Sequence, residues 1–101
     1  MSDINREIII KYLISQKQYF ADNYGIEKIG LIGSFARNEN NMNSDIDFVY
    51  QLKENYKLTY FQLFELEQIL KQFFNKKIEI INYKYINPII KYTSEKDLIY
   101  V

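Results

Sequence analysis

Asp45 and Asp47, two carboxylates separated by one residue, are the feature that most constrains how this chain can fold. They begin a segment, residues 45–51, in which polar and apolar side chains alternate, and this alternation predicts a β-strand. Residues two positions apart on a strand point to the same face, so Ile46 and Phe48 are expected to point to the opposite face and pack under a helix. Two carboxylates this close repel each other unless a cation lies between them. The pair therefore predicts a site for Mg²⁺, which such carboxylates commonly hold together with phosphate oxygens.

A Gly33-Ser34 pair precedes these carboxylates and lies where a second apolar strand, residues 28–32, ends. The sequence predicts a short helical turn after it, around residues 35–37, with Ser34 at its N-terminus. Such a junction presents free backbone N–H groups and the positive end of a helix dipole to an anion. Gly33 lets a phosphate approach the backbone closely, the Ser34 hydroxyl adds a donor, and Arg37 adds a charged clamp. The junction is therefore a candidate nucleotide-binding site.

A third acidic side chain, Glu79, lies on another predicted strand, residues 77–82. Isoleucines alternate with it, so Glu79 is expected to face away from the helix-covered side of the sheet. If the two strands are neighbours, Glu79 joins Asp45 and Asp47 on one face. These three carboxylates are therefore the candidate catalytic and metal-binding residues.

The remaining patterns predict helices and one extended segment at the end of the chain. In chain order they are a helix over residues 3–23 with Ser2 or Asp3 as its cap and Gly25 at its end, a helix over residues 60–74 that begins with a Thr59–Gln62 capping box, a short helix beginning at Asn87-Pro88, and a short strand or tail over residues 97–101. The order α-β-α-β-α-β-α, in which the turn is the second α, predicts an α/β (α+β) fold with a small mixed β-sheet flanked by helices. We expect one domain, residues 1–101.

The composition leaves few kinds of chemistry open. The chain contains no histidine and no cysteine, so imidazole bases, thiolate metal sites and disulfides are excluded, and carboxylates, hydroxyls, Lys, Arg and backbone groups remain. Its 13 basic and 13 acidic residues balance, which gives no overall electrostatic case for direct nucleic-acid binding. No apolar run approaches the ~20 residues that span a bilayer, and no signal-peptide pattern is visible. We therefore expect a cytoplasmic protein that makes no membrane contact.

A Gly-Ser pair after a strand and an Asp-x-Asp pair are each ordinary alone, but their spacing is specific. Ten residues separate Ser34 from Asp45, and this arrangement resembles the GSx10DxD signature of the polymerase-beta-like nucleotidyltransferases. The preceding apolar strand and the Phe-Ala-Arg after Ser34 resemble the minimal branch of that superfamily. The resemblance implies the nucleotidyltransferase fold, triphosphate contacts at Gly33 and Ser34, and Mg²⁺ binding by Asp45 and Asp47.

Two positions depart from the pattern of this family. Its members have a later carboxylate, usually Asp, that helps to bind the metal and can activate the acceptor hydroxyl, and here the candidate for that role is Glu79. Asn38 follows the Ala-Arg where Gly is frequent. Asn tolerates left-handed backbone angles better than most residues, so we expect the turn to form with Asn38.

At this size the chain resembles the MntA-type antitoxins, which act with a separate HEPN-family toxin. The resemblance implies ATP as the substrate and transfer of AMP to a tyrosine of the toxin, a ribonuclease, which is thereby silenced. An antitoxin that acts only by binding is an alternative, with an interface formed by Tyr83, Tyr85, Tyr92 and Tyr100. We favour core and rim positions for these four tyrosines. Transfer to a small molecule ranks last because such enzymes need extra structure for the acceptor.

Overall fold

Residues 4–101, which the computed structural model describes, form three α-helices and four β-strands. In chain order these are α1 (Arg6–Tyr24), β1 (Ile26–Ile32), β2 (Ile46–Leu52), α2 (Tyr60–Phe74), β3 (Ile78–Asn82), α3 (Pro88–Ser94) and β4 (Ile99–Tyr100). A 3-10 turn, Tyr83–Tyr85, follows β3. The predicted α/β arrangement of helices around a small sheet is confirmed. Within residues 4–101, no helix combines the length and the apolar character that crossing a membrane requires.

The strands form one mixed sheet in the order β3-β2-β1-β4. β1 pairs antiparallel with β2 and β4, whereas β2 pairs parallel with β3. A parallel pair needs a long crossover connection, and α2 lies in the connection between β2 and β3. In this register Asp47 lies opposite Ile32 on one side and opposite Glu79 on the other. The two strands predicted to carry the carboxylates are therefore neighbours.

α1 and α2 cover one face of the sheet and enclose the core. The side chain of Asn5 accepts a hydrogen bond from Ile8 N at 2.9 Å and so caps α1. The helix ends at Gly25, as predicted, with a left-handed φ of 64°. The predicted cap at Ser2 or Asp3 lies outside the described residues. The most deeply buried core side chains are Ile9, Leu13, Phe20, Ile29, Leu31, Phe35, Ile46, Phe48, Leu66 and Leu70.

α2 begins with the predicted Thr59–Gln62 capping box. The helical spacing of Leu63, Leu66, Leu70 and Phe73 predicts one apolar stripe along the helix, and the prediction is wrong for one of them. Its buried residues are Leu66, Leu70 and Phe74. Phe73 was expected in this stripe, and its side chain is instead 58% exposed. Phe74 continues the four-residue spacing of Leu66 and Leu70, which keeps it on the core face of a helix.

α3 lies over the other face of the sheet and is much less embedded. It begins with the predicted cap, in which Asn87 Oδ1 accepts from Ile89 N at 2.8 Å. None of its residues is buried. Residues of α3 and of the sheet, among them Ile32, Val49 and Lys91, line a small cavity of about 10 Å³. This second face therefore has a thin cover, which leaves the end of the sheet that carries the carboxylates accessible.

Candidate active site

The chain leaves β1 through one hydrogen-bonded turn rather than a helix. Arg37 N donates to Gly33 O at 3.1 Å, and the next two N–H groups, of Asn38 and Glu39, donate back to carbonyls of the turn at 3.2 and 2.9 Å. Asn38 has a φ of 61°, so these last two bonds form a Schellman motif. The expectation that Asn38 supports the turn is confirmed. The motif ends the turn after Arg37, which is why the predicted second helix is no longer than one turn.

The first N–H groups of this turn remain available to a ligand. Among the hydrogen bonds of residues 4–101, none uses the backbone N–H of Ser34, Phe35 or Ala36. Arg6 Nη1 donates to Ala36 O at 3.0 Å and so ties the turn to α1. The turn therefore has backbone donors without a protein acceptor, which is compatible with the phosphate site that the sequence predicts at Gly33 and Ser34.

Gly33 also makes room for one of the carboxylates. It has a φ of 82°, which glycine adopts without strain. A Cβ at this position would overlap Asp47 Oδ2 and would lie 3.3 Å from Asp47 Cγ. Close approach of a phosphate is the only role that the sequence predicts for Gly33, so this second requirement is a finding of the structure. The candidate phosphate site and the candidate metal site are therefore in contact.

The three predicted carboxylates meet at one end of the sheet. Asp47 is in register with Glu79 across the parallel pair, and Asp45 immediately precedes β2. Side chains of residues in register project from the same face of a sheet. Asp45 and Asp47 are half-buried, whereas Glu79 is exposed. The predicted convergence on one face is confirmed for Asp47 and Glu79, and Asp45 is close enough for its charge to act on Asp47.

The charge state of Asp47 reflects this crowding. Burial, followed by the charges of Glu79 and Asp45, raises the pKa of Asp47 from 3.8 to about 6, and only the Arg37 guanidinium opposes the shift. A carboxylate in this position is destabilised when it ionises, and a bound cation would remove much of the repulsion. The structure therefore favours binding of a cation at Asp45 and Asp47, where the sequence also predicts it.

The donor set is suited to Mg²⁺ shared with a substrate. No group of three acidic side chains within residues 4–101 already has the geometry of a metal site. Mg²⁺ characteristically binds through one or two carboxylates and completes its octahedron with water and substrate phosphate oxygens. Asp45 and Asp47 offer such hard oxygen ligands, and the turn next to them offers a place for the phosphates. These residues fit a cation that binds with its nucleotide.

Arg37, the predicted phosphate clamp, lies at the site but is held by carboxylates. Its Nε donates to Glu39 Oε1 at 2.9 Å, and its Nη1 lies 3.7 Å from Asp97 Oδ2. The hydrogen bond that it donates to Glu39 is the main cause that raises the pKa of this guanidinium. The Arg37 side chain is 41% exposed, so a triphosphate can compete with both partners for it. The two carboxylates therefore hold the Arg37 guanidinium in one orientation, and a triphosphate would have to displace them.

Asp97 is the residue of this site that the sequence analysis missed. It follows α3, its N–H donates to Ser94 O at 2.9 Å, and its side chain is 22% exposed. It lies sixty positions after Arg37, and no spacing rule connects the two. Only the position of α3 over the second face of the sheet brings the end of the chain to this site.

The four tyrosines predicted for the core and rim divide into two pairs. Tyr83 and Tyr100 are half-buried, and Tyr100 Oη accepts from Gln51 Nε2 at 2.7 Å. Tyr85 and Tyr92 are 75% and 82% exposed. The preference for core and rim positions is thus wrong for Tyr85 and Tyr92, because the short helical segments that carry them bury no residue.

Comparison with known proteins identifies the family. The profile of the polymerase beta nucleotidyltransferases matches residues 15–100, which include the turn and all three carboxylates. The chain belongs to this family. A relative of this nucleotidyltransferase in Methanocaldococcus jannaschii, "Putative protein adenylyltransferase MJ1379", is 36% identical over 97 residues, which are 95% of this chain and 93% of the relative. "Protein adenylyltransferase MntA" of Thermococcus cleftensis is 26% identical over 101 residues, the whole length of both proteins.

Solved structures confirm the nucleotidyltransferase fold. One described as "Structure of putative minimal nucleotidyltransferase" superposes with a TM-score of 0.76, at 19% identity, and the match covers 98% of each chain. Another, described as "Crystal structure of the toxin-antitoxin with AMP-PNP", superposes with a TM-score of 0.60, at 24% identity, over 86% of this chain and 64% of that one. At these identities the likeness establishes the fold.

Proposed function

We propose that this nucleotidyltransferase is an antitoxin that transfers AMP from ATP, with Mg²⁺, to a tyrosine of a cognate HEPN-family ribonuclease toxin in the cytoplasm. The observation that carries the proposal is the position of Asp47, which lies against Gly33 and in register with Glu79. A protein acceptor is supported by the names of two relatives, both protein adenylyltransferases. An adenine nucleotide and a toxin partner are supported by the similar fold in a toxin-antitoxin with AMP-PNP.

Each residue of the site has a role in this reaction. The free N–H groups after Gly33 and the Arg37 guanidinium bind and orient the triphosphate. Asp45 and Asp47, with Glu79 as the third ligand, would hold Mg²⁺, which would supply positive charge against the negative charge that develops around the α-phosphate.

The chemical step is a substitution at the α-phosphorus of ATP. The tyrosine oxygen forms a bond to this phosphorus while the bond to the bridging oxygen of the β-phosphate breaks, and pyrophosphate leaves with that electron pair. The proton of the tyrosine hydroxyl passes to a carboxylate, a role that we assign to Glu79, which is exposed. The products are an AMP-tyrosine on the toxin and pyrophosphate.

Intact-mass measurement of the toxin tests the proposal. The chain is incubated with its HEPN-family toxin, ATP and Mg²⁺, and we expect the toxin to gain the mass of one or more AMP groups. Chelation of Mg²⁺ or the substitution Asp45→Asn should prevent the gain. Asp22→Asn on α1 removes an exposed carboxylate outside the site and should not. An intact complex with ATP and Mg²⁺ in which the toxin gains no mass would refute the proposal.

A second candidate function is neutralisation by binding alone, and the exposure of Tyr85 and Tyr92 favours it. Such tyrosines are common anchors of protein interfaces. The double variant Asp45→Asn/Asp47→Asn separates the two functions. If it still protects cells that express the toxin, binding suffices. If protection is lost while the complex still forms, AMP transfer is required.

A further inference from the structure

A second concave surface lies at the end of the sheet that is opposite to the carboxylates. This surface, the distal groove, has a volume of about 1000 Å³ and runs between two segments, residues 53–59 and residues 82–85. Tyr50, Leu52 and Leu63 contribute apolar lining between them. None of the residues assigned to nucleotide or metal lines it. The groove is therefore separate from the candidate active site.

Both walls of the distal groove are held by specific contacts. Lys53 N donates to Gly25 O at 2.8 Å, and Tyr56 N donates to Lys53 O at 3.0 Å. A Cβ at Gly25 would overlap the Tyr56 ring, so this ring lies directly on the backbone where α1 ends. In the other wall, Asn82 Oδ1 accepts from Lys84 N at 3.0 Å. The groove is thus formed before a partner arrives, which reduces the entropy that binding would cost.

The chemistry of the distal groove differs from that of the catalytic end. Its rim carries three lysines and one acidic residue, and two of its tyrosines are largely accessible, with Tyr60 93% and Tyr85 75% exposed. Lys53 is already engaged, because its Nζ donates to Ala21 O at 3.3 Å. Lys57 and Lys84 are exposed and make no ion pair within residues 4–101. A chain with no net charge therefore has a basic rim at one end of the sheet and a carboxylate cluster at the other.

We propose that the distal groove docks an acidic, apolar segment of the protein that receives AMP. The inference rests on the proposed function, which requires a protein acceptor. The basic rim complements acidic side chains, and accessible tyrosines above an apolar lining are typical of protein interfaces. A single-stranded nucleic acid would also use tyrosines and lysines, but its phosphates do not benefit from a leucine-lined floor.

The position of the groove suits the reaction. Tyr50 pairs with Asn82 at the groove, and Asp47 pairs with Glu79 at the catalytic end, three residues earlier on both strands. At ~3.3 Å per residue the two places are roughly 10 Å apart along the strands. Tyr50 and Asn82 project from the face beneath α2, whereas Asp47 and Glu79 project from the opposite face. A partner seated in the groove would therefore bring its tyrosine to the catalytic end around the edge strand β3.

Charge reversal at the rim tests this inference. We expect Lys57→Glu/Lys84→Glu to raise the KM for the toxin in the AMP-transfer assay about tenfold, with kcat within twofold of the original value. The affinity for Mg²⁺-ATP, measured by calorimetry, should not change. Lys11→Glu/Lys17→Glu on the exposed side of α1 is the matched control and should leave both quantities unchanged. An unchanged KM in the groove variant, or an equal change in the control, would overturn the inference.

Two further measurements separate this inference from the proposed function. If the original protein transfers no AMP, the proposed function fails, and calorimetric binding of the toxin to the groove and control variants decides the inference instead. Weakening by the groove variant alone supports it, and absence of binding or equal binding overturns it. A fluorescent oligothymidylate that binds the original protein but not the groove variant would also overturn it in favour of nucleic acid.

Discussion

Alternate residues of β2 belong to two different regions of the molecule. Ile46, Phe48 and Tyr50 point into the core beneath α1 and α2, and each is at most 5% exposed. Asp47, between them, points to the other face, where α3 buries none of its residues. The alternation of the strand thus turns the main core residues and the Asp47 carboxylate to opposite faces, although they are neighbours in sequence. Val49, on the same face as Asp47, is also buried, beside α3. Substitutions on the two faces should therefore have different consequences.

The two faces also differ in what their side chains contribute to stability. Apolar groups on the core face stabilise the fold through burial. The Asp47 carboxylate works against it, because burial and the charges of Glu79 and Asp45 raise its pKa to about 6. A destabilising charge at one site is tolerated when the opposite face supplies enough stability. The comparison leads to predictions that range from loss of activity to a small change in KM.

The largest expected effect is on catalysis and arises from the site face. Asp47→Asn removes a negative cation ligand but keeps the size of the side chain, so we expect AMP transfer to fall by at least about 10³-fold. Circular dichroism and the unfolding midpoint should show that the fold remains. Transfer rates at saturating ATP and Mg²⁺ measure the effect. A variant that keeps more than a tenth of the activity would contradict the division of roles between the two faces.

The site could be predicted from the sequence because its signals are local. Gly33 and Ser34 end one strand, Asp45 and Asp47 begin the next, and alternation alone assigns their faces. The side-chain hydrogen bonds of capping residues are similarly local, which is why the cap of α2 was predicted at Thr59. The contact between Gly33 and Asp47 needs the antiparallel register of β1 and β2, which no single segment encodes.

Other features depend on long-range packing and could not be read from the sequence. Asp97 reaches Arg37 only because α3 lies over the second face. Phe74 rather than Phe73 lies in the core because of how α2 is rotated about its axis against the sheet. Both residues are phenylalanine, so residue type could not show which of the two is buried. The exposure of Tyr85 and Tyr92 likewise depends on how shallowly α3 and the preceding 3-10 turn sit.

The next largest effect should be on stability and should arise from the core face. Phe48 is fully buried and its ring lies 6.0 Å from that of Phe74. Phe48→Ala should lower the free energy of unfolding by about 3–5 kcal/mol, because it removes buried surface and leaves a cavity. Urea denaturation measures this change, and Phe48→Leu should restore much of it. A loss below 1 kcal/mol would show that this face does not carry the stability of the fold.

Gly33→Ala should lower both the stability of the fold and the rate of AMP transfer. The alanine would have a φ of 82° and its Cβ would overlap Asp47 Oδ2. We therefore expect about 1–3 kcal/mol of destabilisation, a displaced Asp47 carboxylate and reduced AMP transfer. Gly30→Ala is the matched control, because its Cβ would overlap Ile99 O in β4 instead. It should lower stability and leave the affinity for Mg²⁺-ATP unchanged. Equal losses of that affinity in both variants would mean that Gly33 has no special relation to Asp47.

The pH dependence of stability tests the cost of the Asp47 charge. The folded pKa, about 6, is above the ordinary 3.8, so the folded state binds the proton more tightly and the free energy of unfolding falls as pH rises from about 4 to about 6. Without Mg²⁺ at pH 7.5, Asp47→Asn should be more stable than the original protein by about 1–3 kcal/mol. Denaturation curves at several pH values measure this difference, which added Mg²⁺ should reduce. If Asp47→Asn is less stable than the original protein at pH 7.5, the ionised Asp47 carboxylate does not destabilise the fold.

The smallest expected effect concerns Asp97, which links the thin cover of the second face to the site. The Arg37 to Asp97 ion pair is 3.7 Å long and partly exposed, and such pairs contribute about 1 kcal/mol or less. Asp97→Asn should therefore change the KM for ATP by no more than about fivefold and leave kcat unchanged. The sign of the change in KM distinguishes two roles for Asp97.

A lower KM for ATP in Asp97→Asn means that Asp97 competes with the triphosphate for Arg37, whereas a higher KM means that Asp97 holds Arg37 in the orientation that binds the triphosphate. Glu39→Gln, which removes the shorter ion pair on the same guanidinium, provides the comparison, and a kcat that falls more than tenfold with Asp97→Asn would instead place Asp97 among the residues that act on the reacting atoms.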